Sequence, residues 1–227
     1  ECRNSGIPMR HLALGQIPRA ALNFEFFAEF IGQVAGEIYS QDSRYLTLVT
    51  REPVGVGALI GPWNAPLALT SMKIAGCIAF GNCCVAKPAE QTPLAVARLM
   101  ELIVAAGTPP GVVNMVCGRG AVTGDALVRH PGVNLVSFTG GTATGRAVMT
   151  AAGAGLKPCS LELGGKSANI VFATADIERA LDGALLGIFS NNGQQCLAGS
   201  RILVQRPIAR SFIDAFVARA ARLRIGD

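Results

Sequence analysis

The stretch GVGALIGPWNAPLALTSMKIAGCIAFGNCCVAK, residues 55–87, decides the fold. Residues 55–60 read as a short apolar strand, 67–80 as a helix and 82–86 as a second apolar strand. Neither strand alternates polar with apolar residues, so both are expected to be buried on two faces. Strand, crossover helix and strand make a βαβ unit with parallel strands. The alternation continues through helix 93–106, strand 112–116, helix 121–129, strand 134–138 and helix 142–153. Strands near 158–163 and 168–172 then lead to helix 177–190, and Gly81, Gly107, Gly118 and Gly132 punctuate the joints. The fold class is therefore α/β, with one parallel sheet over 55–172 covered by helices on both faces. Upstream, Phe27, Phe30, Ile31, Val34 and Ile38 form a helical stripe over 17–38, and 45–50 is β-rich up to Arg51-Glu52-Pro53. Downstream, Ile208, Phe212, Ile213, Phe216, Val217 and Ala220 mark a helix over 207–222.

Composition narrows the function. Half of the 227 residues are hydrophobic and 15% are charged, which excludes a disordered chain. The net charge of +5 is concentrated in residues 201–227, where six Arg face only Asp214 and Asp227. One basic terminal helix with Phe212 and Phe216 on its apolar side is not a nucleic-acid surface. The seven Cys show no C-x-x-C spacing and have only His11 and His130 beside them, so neither a metal site nor a disulfide framework is expected. They read as reduced thiols, which predicts a cytoplasmic protein. Residues 53–72 carry no charge, but Pro53, Pro62 and Pro66 break them, so no membrane span is expected. No signal peptide is visible. The chain starts at Glu1 without Met and stops soon after a helix, which predicts a piece of a longer chain.

Three motif matches fail. Gly55-Val56-Gly57 lacks the third glycine of a dinucleotide fingerprint, since Ile60 holds its place, and it lies within the strand. Gly164-Gly165-Lys166-Ser167 resembles a P-loop tail, but Ser160 stands where that loop opens with glycine. No G-x-S-x-G is present.

Five segments remain. Phe138-Thr139-Gly140-Gly141-Thr142-Ala143-Thr144-Gly145 follows a strand and opens a helix, where backbone amides suit a pyrophosphate; an ordinary turn capped by Thr142 is the alternative. Lys87-Pro88-Ala89-Glu90 ends a strand, and its ammonium and carboxylate could both reach a ribose or simply form a solvated pair. Gly193-Gln194-Gln195-Cys196 sets a cysteine among Gly and amides, as a nucleophile or a small core residue. Leu161-Glu162-Leu163-Gly164-Gly165 places a lone carboxylate among apolar residues, either paired or poised as a general base. Gly61-Pro62-Trp63-Asn64-Ala65-Pro66 is a rigid turn whose Asn is an oxyanion donor or structural.

Together, in this order, the five segments resemble the aldehyde dehydrogenase superfamily, and the likeness spans the whole chain, about half of a family member's length. The resemblance implies a Rossmann-like cofactor domain (54–163, joined by the helical segment 1–41), a portion of an oligomerisation hairpin (42–53) and the start of a catalytic domain (164–227). It implies Cys196 as the nucleophile toward a small-molecule aldehyde. Asn64 and the Cys196 N–H would hold the oxyanion, and Glu162 would activate water. The cofactor would be NAD, with NADP possible. It would lie against Ile60, Gly61, Pro62, Trp63, Lys87, Pro88, Ala89, Glu90, Phe138, Thr139, Gly140, Gly141, Gly145, Leu163 and Gly164. Gly120 and Gly124 would form the adenine-side loop. Gly141 stands where the family usually has Ser, which removes one phosphate hydrogen bond. Glu162, 34 residues before Cys196, implies water as the acyl acceptor, and Glu90 favours NAD over NADP. The full-length protein would be a homodimer or homotetramer. A structural NAD-binding protein on the same fold and a cofactor-free thiol esterase are the rival readings.

Overall fold

The computed structural model describes residues 1–226; Asp227, at the end of the expected catalytic segment, lies outside the described residues. Two short turns, α1 (Cys2–Ser5) and α2 (Met9–His11), lead through a π-helical stretch, Leu12–Gln16, into α3 (Ile17–Ile31). An antiparallel hairpin follows, β1 (Glu37–Asp42) and β2 (Tyr45–Val49). Then come β3 (Val56–Ile60), α4 (Pro66–Ala79), β4 (Cys83–Lys87), α5 (Leu94–Ala105) and β5 (Val113–Met115). A π-helical turn, Gly120–Gly124, runs into α6 (Asp125–Arg129), followed by β6 (Leu135–Gly140), α7 (Thr142–Ala154) and β7 (Cys159–Leu163). The last elements are β8 (Ala168–Val171), α8 (Ile177–Phe189), β9 (Arg201–Val204) and α9 (Ala209–Ala220).

Strands β3 to β7 form one parallel sheet in the order β5-β4-β3-β6-β7. The chain winds outward from β3 through β4 to β5, then returns beside β3 as β6. The switch point therefore lies between the carboxyl ends of β3 and β6, where open α/β sheets bind ligands. Alternation along β3 splits the core. Ala58 and Ile60 pack with Val136 and Phe138 against Val128, Val148 and Ala152 of α6 and α7. Leu59 packs with Cys84 and Ala86 against Ile74, Leu99 and Ile103 of α4 and α5.

Two expectations need correction. The sheet does not run to residue 172. Strand β8 pairs with β9, which sequence reading missed, and these form a separate parallel sheet with its own core of Val171, Leu181, Ala184 and Phe212. The N-terminal helix does not reach Ile38. It ends at Ile31, and the hairpin begins at Glu37, five residues earlier than expected. Ile38 continues the helical stripe only by coincidence of spacing. Gly36 sets the change, since a Cβ there would lie 2.7 Å from the Val49 carbonyl oxygen of the partner strand. Smaller shifts include β6, which extends through Thr139 and Gly140. Gly141 rather than Thr142 occupies the N-cap of α7.

Candidate active site

The carboxyl ends of β3 and β4 are joined by a hydrogen bond from the Gly61 N–H to the Lys87 carbonyl, 2.9 Å. Ile60, Gly61 and Pro62 are buried there, while Trp63 is 48% exposed at the rim. Gly61 admits no side chain, because a Cβ would sit 2.3 Å from Thr70 Oγ1 of α4. The turn thus lies against the helix it starts, and Pro66 opens that helix where no amide is needed.

Asn64, half-buried, is wired to the cysteine-bearing loop. Its side-chain N–H donates to the Gln194 carbonyl at 2.7 Å. In return the buried Asn191 amide donates to the Asn64 carbonyl at 2.8 Å and to the Gln194 carbonyl at 3.2 Å. Asn191, Asn192 and Gly193 all hold left-handed backbone, φ 51°, 58° and 71°. Asn and Gly tolerate that region best, which accounts for the residue types before Gln194. Cys196 then emerges two residues later, exposed and with a free thiol. Its carbonyl oxygen lies 3.3 Å from where a Cβ on Gly165 would be, so the segment after β7 runs against it. The Asn64 turn, the Glu162–Gly165 segment and Cys196 are brought together from three places in the chain.

Glu162 is not enclosed by apolar residues as the sequence suggested. Strand β7 is an edge strand, and its alternation turns Ser160 and Glu162 outward and Leu161 and Leu163 inward. Glu162 pairs in register with Thr139 of β6, and Ser160 with Ser137. Parallel neighbours point the same way, so all four side chains face the α4 side of the sheet. There the structure adds a residue that the sequence did not reveal. Lys73 of α4 is 9% exposed and donates to Ser137 Oγ at 2.7 Å. Burial pushes its ammonium down to about 8, and the Glu162 carboxylate works against that shift. Glu1 was also missed: its carboxylate accepts from the Leu67 N–H in the first turn of α4, 3.2 Å, and burial raises it above the usual carboxylate range.

The other candidates lie toward the same carboxyl end of the sheet. Lys87 is 3% exposed, with Nζ donating to the Pro88 carbonyl at 3.0 Å. Burial lowers its ammonium, opposed by the charge of Glu90. A Cβ on Gly124 would lie 3.7 Å from Lys87 Cδ, so the Gly120–Gly124 turn and the lysine stem are neighbours. Gly120 and Gly141 face open space, Glu90 is exposed, and Pro88 is buried with Ala89 half-buried beside it. Phe138 is buried and its ring fills the place of a Gly140 side chain. Thr139 Oγ1 is buried without a partner. Gly145 is buried against Leu163, and Gly164 is exposed.

The residues match those of known proteins along the full chain. The sequence model described as "Aldehyde dehydrogenase family" matches residues 1–227. This chain belongs to the aldehyde dehydrogenase family. It is 51% identical over 227 residues to the 5-carboxymethyl-2-hydroxymuconate semialdehyde dehydrogenase of Escherichia coli, covering 100% of this chain and 48% of that protein. It is 43% identical over 231 residues to the 2-hydroxymuconic semialdehyde dehydrogenase of Pseudomonas sp. (strain CF600), again covering 100% and 48%. The crystal structure of a putative aldehyde dehydrogenase from Burkholderia cenocepacia superposes with a TM-score of 0.96 at 44% identity, over 99% of this chain and 46% of that one. An aldehyde dehydrogenase from Bacillus cereus, solved as an NAD+ complex, gives 0.95 at 39% identity, over 98% and 45%. The chain spans about half the length of the curated relatives it matches. Among the described residues, no group of three or more His, Cys, Asp or Glu could hold a metal, and no helix is long and apolar enough to cross a membrane.

Proposed function

We propose that the whole protein oxidises an aldehyde to a carboxylic acid with NAD, through a covalent adduct on Cys196. The observation that carries this reading is the Asn64–Gln194 hydrogen bond, which fixes an amide donor beside the cysteine loop. Asn carries two N–H donors, and one is spent on Gln194. The other, with the Cys196 N–H, is available to an oxyanion formed when the thiolate attacks the carbonyl carbon. Loss of hydride from this adduct leaves a thioester on Cys196, and Glu162 takes a proton from the water that hydrolyses it, returning the Cys196 thiolate and releasing the acid. Lys73, held by Ser137, places a positive charge on the same sheet face as Glu162.

The residues present fit NAD. The buried Lys87 ammonium has one protein acceptor and two further N–H groups for ribose hydroxyls. Thr139 Oγ1 lacks a partner, and the Gly141 amide stands at the N-terminus of α7 with open space around it. Bound at the switch point, NAD supplies the hydride acceptor. An exposed Glu90 beside Lys87 disfavours a 2′-phosphate and so favours NAD over NADP. The domain limits 1–41, 42–53, 54–163 and 164–227 belong to this proposal, as do assembly as a homodimer or homotetramer and a cytoplasmic setting. The seven free thiols support the setting.

A steady-state panel on the full-length protein tests the function, with muconic semialdehydes, betaine aldehyde and aliphatic aldehydes. NADH formation with at least one class is expected. NAD binding without turnover of any would favour a structural role, and ester hydrolysis that ignores NAD would favour a thiol esterase.

A further inference from the structure

Two cysteines outside the proposed site meet beneath the cofactor sheet. Gly57 and Cys84 are register neighbours on β3 and β4, so a side chain on Gly57 would stand beside that of Cys84. Gly57 has none, and Cys77 of α4 fills the space, with its Sγ 3.1 Å from the Gly57 Cβ position. Cys77 and Cys84 belong to one buried cluster, and Cys77 Sγ donates to the Cys83 carbonyl at 3.6 Å. Cys84 is 0% exposed and Cys77 8%, so Cys77 is the less buried of the two. Cys83 points to the opposite sheet face, since successive strand residues alternate.

We propose that Cys77 and Cys84 form a peroxide-responsive disulfide that staples α4 to β4 in the folded protein. The chemistry balances in two steps. The Cys77 thiolate attacks hydrogen peroxide, giving the sulfenic acid and hydroxide. The Cys84 thiol then attacks the Cys77 sulfur, forming the S–S bond and releasing water. In sum, two thiols are oxidised and one peroxide is reduced to two waters. The neighbouring Cys84 side chain holds the Cys77 thiol below its usual range, while Cys77 and burial push Cys84 up, which suits Cys77 to the first step and Cys84 to the second. Bond formation draws the two sulfurs to about 2.05 Å. The bond closes a short loop between the end of α4 and the third residue before Lys87, so it stiffens the strand that carries the proposed ribose-binding lysine.

The test is peptide mapping of the purified chain after hydrogen peroxide, followed by blocking of free thiols and trypsin digestion. The peptide Ile74–Arg98, which holds Cys77, Cys83 and Cys84, should lose the mass of two hydrogens and regain it on reduction. The loss should persist in Cys83→Ser and vanish in Cys77→Ser and in Cys84→Ala. In parallel, peroxide should raise the Tm of wild type and of Cys83→Ser, reversibly, but not that of the other two. If Cys84→Ala does not fold, the Cys77→Ser and Cys83→Ser pair carries the test. An unshifted peptide, or a shift lost in Cys83→Ser, would overturn the proposal, the latter by assigning the bond to Cys83.

Discussion

Cys196 owes its place to Asn64 and Asn191, which cross-link the turn after β3 to the loop after α8. Asn64→Ala removes the proposed oxyanion donor and one loop anchor together. In the full-length enzyme kcat should fall about 10²–10³-fold, with a stability loss of about 1 kcal/mol. A fall in thermal stability with unchanged kcat would make Asn64 structural only. Glu90→Gln removes the exposed carboxylate beside Lys87 and should shift the NAD/NADP preference about tenfold toward NADP, which corresponds to about 1.4 kcal/mol. An unmoved ratio of kcat/KM values would place the ribose contact elsewhere. Lys73 makes a prediction about pH. Its value in the folded chain, about 8, lies below the ordinary 10.5, so between these two pH values the unfolded chain holds the extra proton. Stability contributed by this site should therefore rise with pH across that window, by at most about 1.4 kcal/mol per unit, and stay flat below it. Denaturant titrations of wild type minus Lys73→Met isolate this slope, and parallel curves would contradict it. Cys196, Glu162 and Asn64 were legible as candidates because each stands out in sequence among glycine, proline or apolar neighbours, and the structure brings their segments together. Lys73 was not, since it sits inside a plain helix and gains its role only when β6 and β7 bring Ser137 and Glu162 to its face.

The β-α turns carry the candidate site, and Gly61 shows how a neighbouring element sets a glycine there. At Gly61 the neighbour is α4: a methyl group would meet Thr70 Oγ1. Gly61→Ala should cost about 1–3 kcal/mol by overpacking, and Thr70→Ala in the same chain should recover most of it. Chemical denaturation of the two single variants and the double variant measures the coupling. Additive losses would mean that the turn, not the contact, requires glycine. The βαβ alternation over 55–163 was readable from apolar run lengths and joint glycines. The boundary at Gly36 was not, because its cause is the carbonyl of Val49 across a hairpin. Strand β9 was missed because Arg201-Ile202-Leu203-Val204 is short and lies outside the regular alternation, pairing back to β8 across α8.

At the scale of the molecule, the cofactor sheet buries both faces with its own helices, whereas the hairpin does not. Ile38, Tyr45, Leu46 and Leu48 are all more than half exposed. An open edge of this kind recruits another strand. The 227-residue chain alone should therefore self-associate, bind NAD weakly and oxidise no aldehyde, and Leu46→Lys with Leu48→Lys should shift it toward monomer in sedimentation. A monomeric wild-type chain would show the hairpin to be inert. In the proposed reaction Cys196 carries the acyl group that Glu162 helps to hydrolyse. Glu162→Gln in the full-length protein should trap that state. After one turnover with NAD and a substrate aldehyde, intact-protein and peptide mass spectrometry should find one acyl group per chain on the peptide containing Cys196. An acyl group on another residue, or steady turnover at the wild-type rate with none, would contradict it.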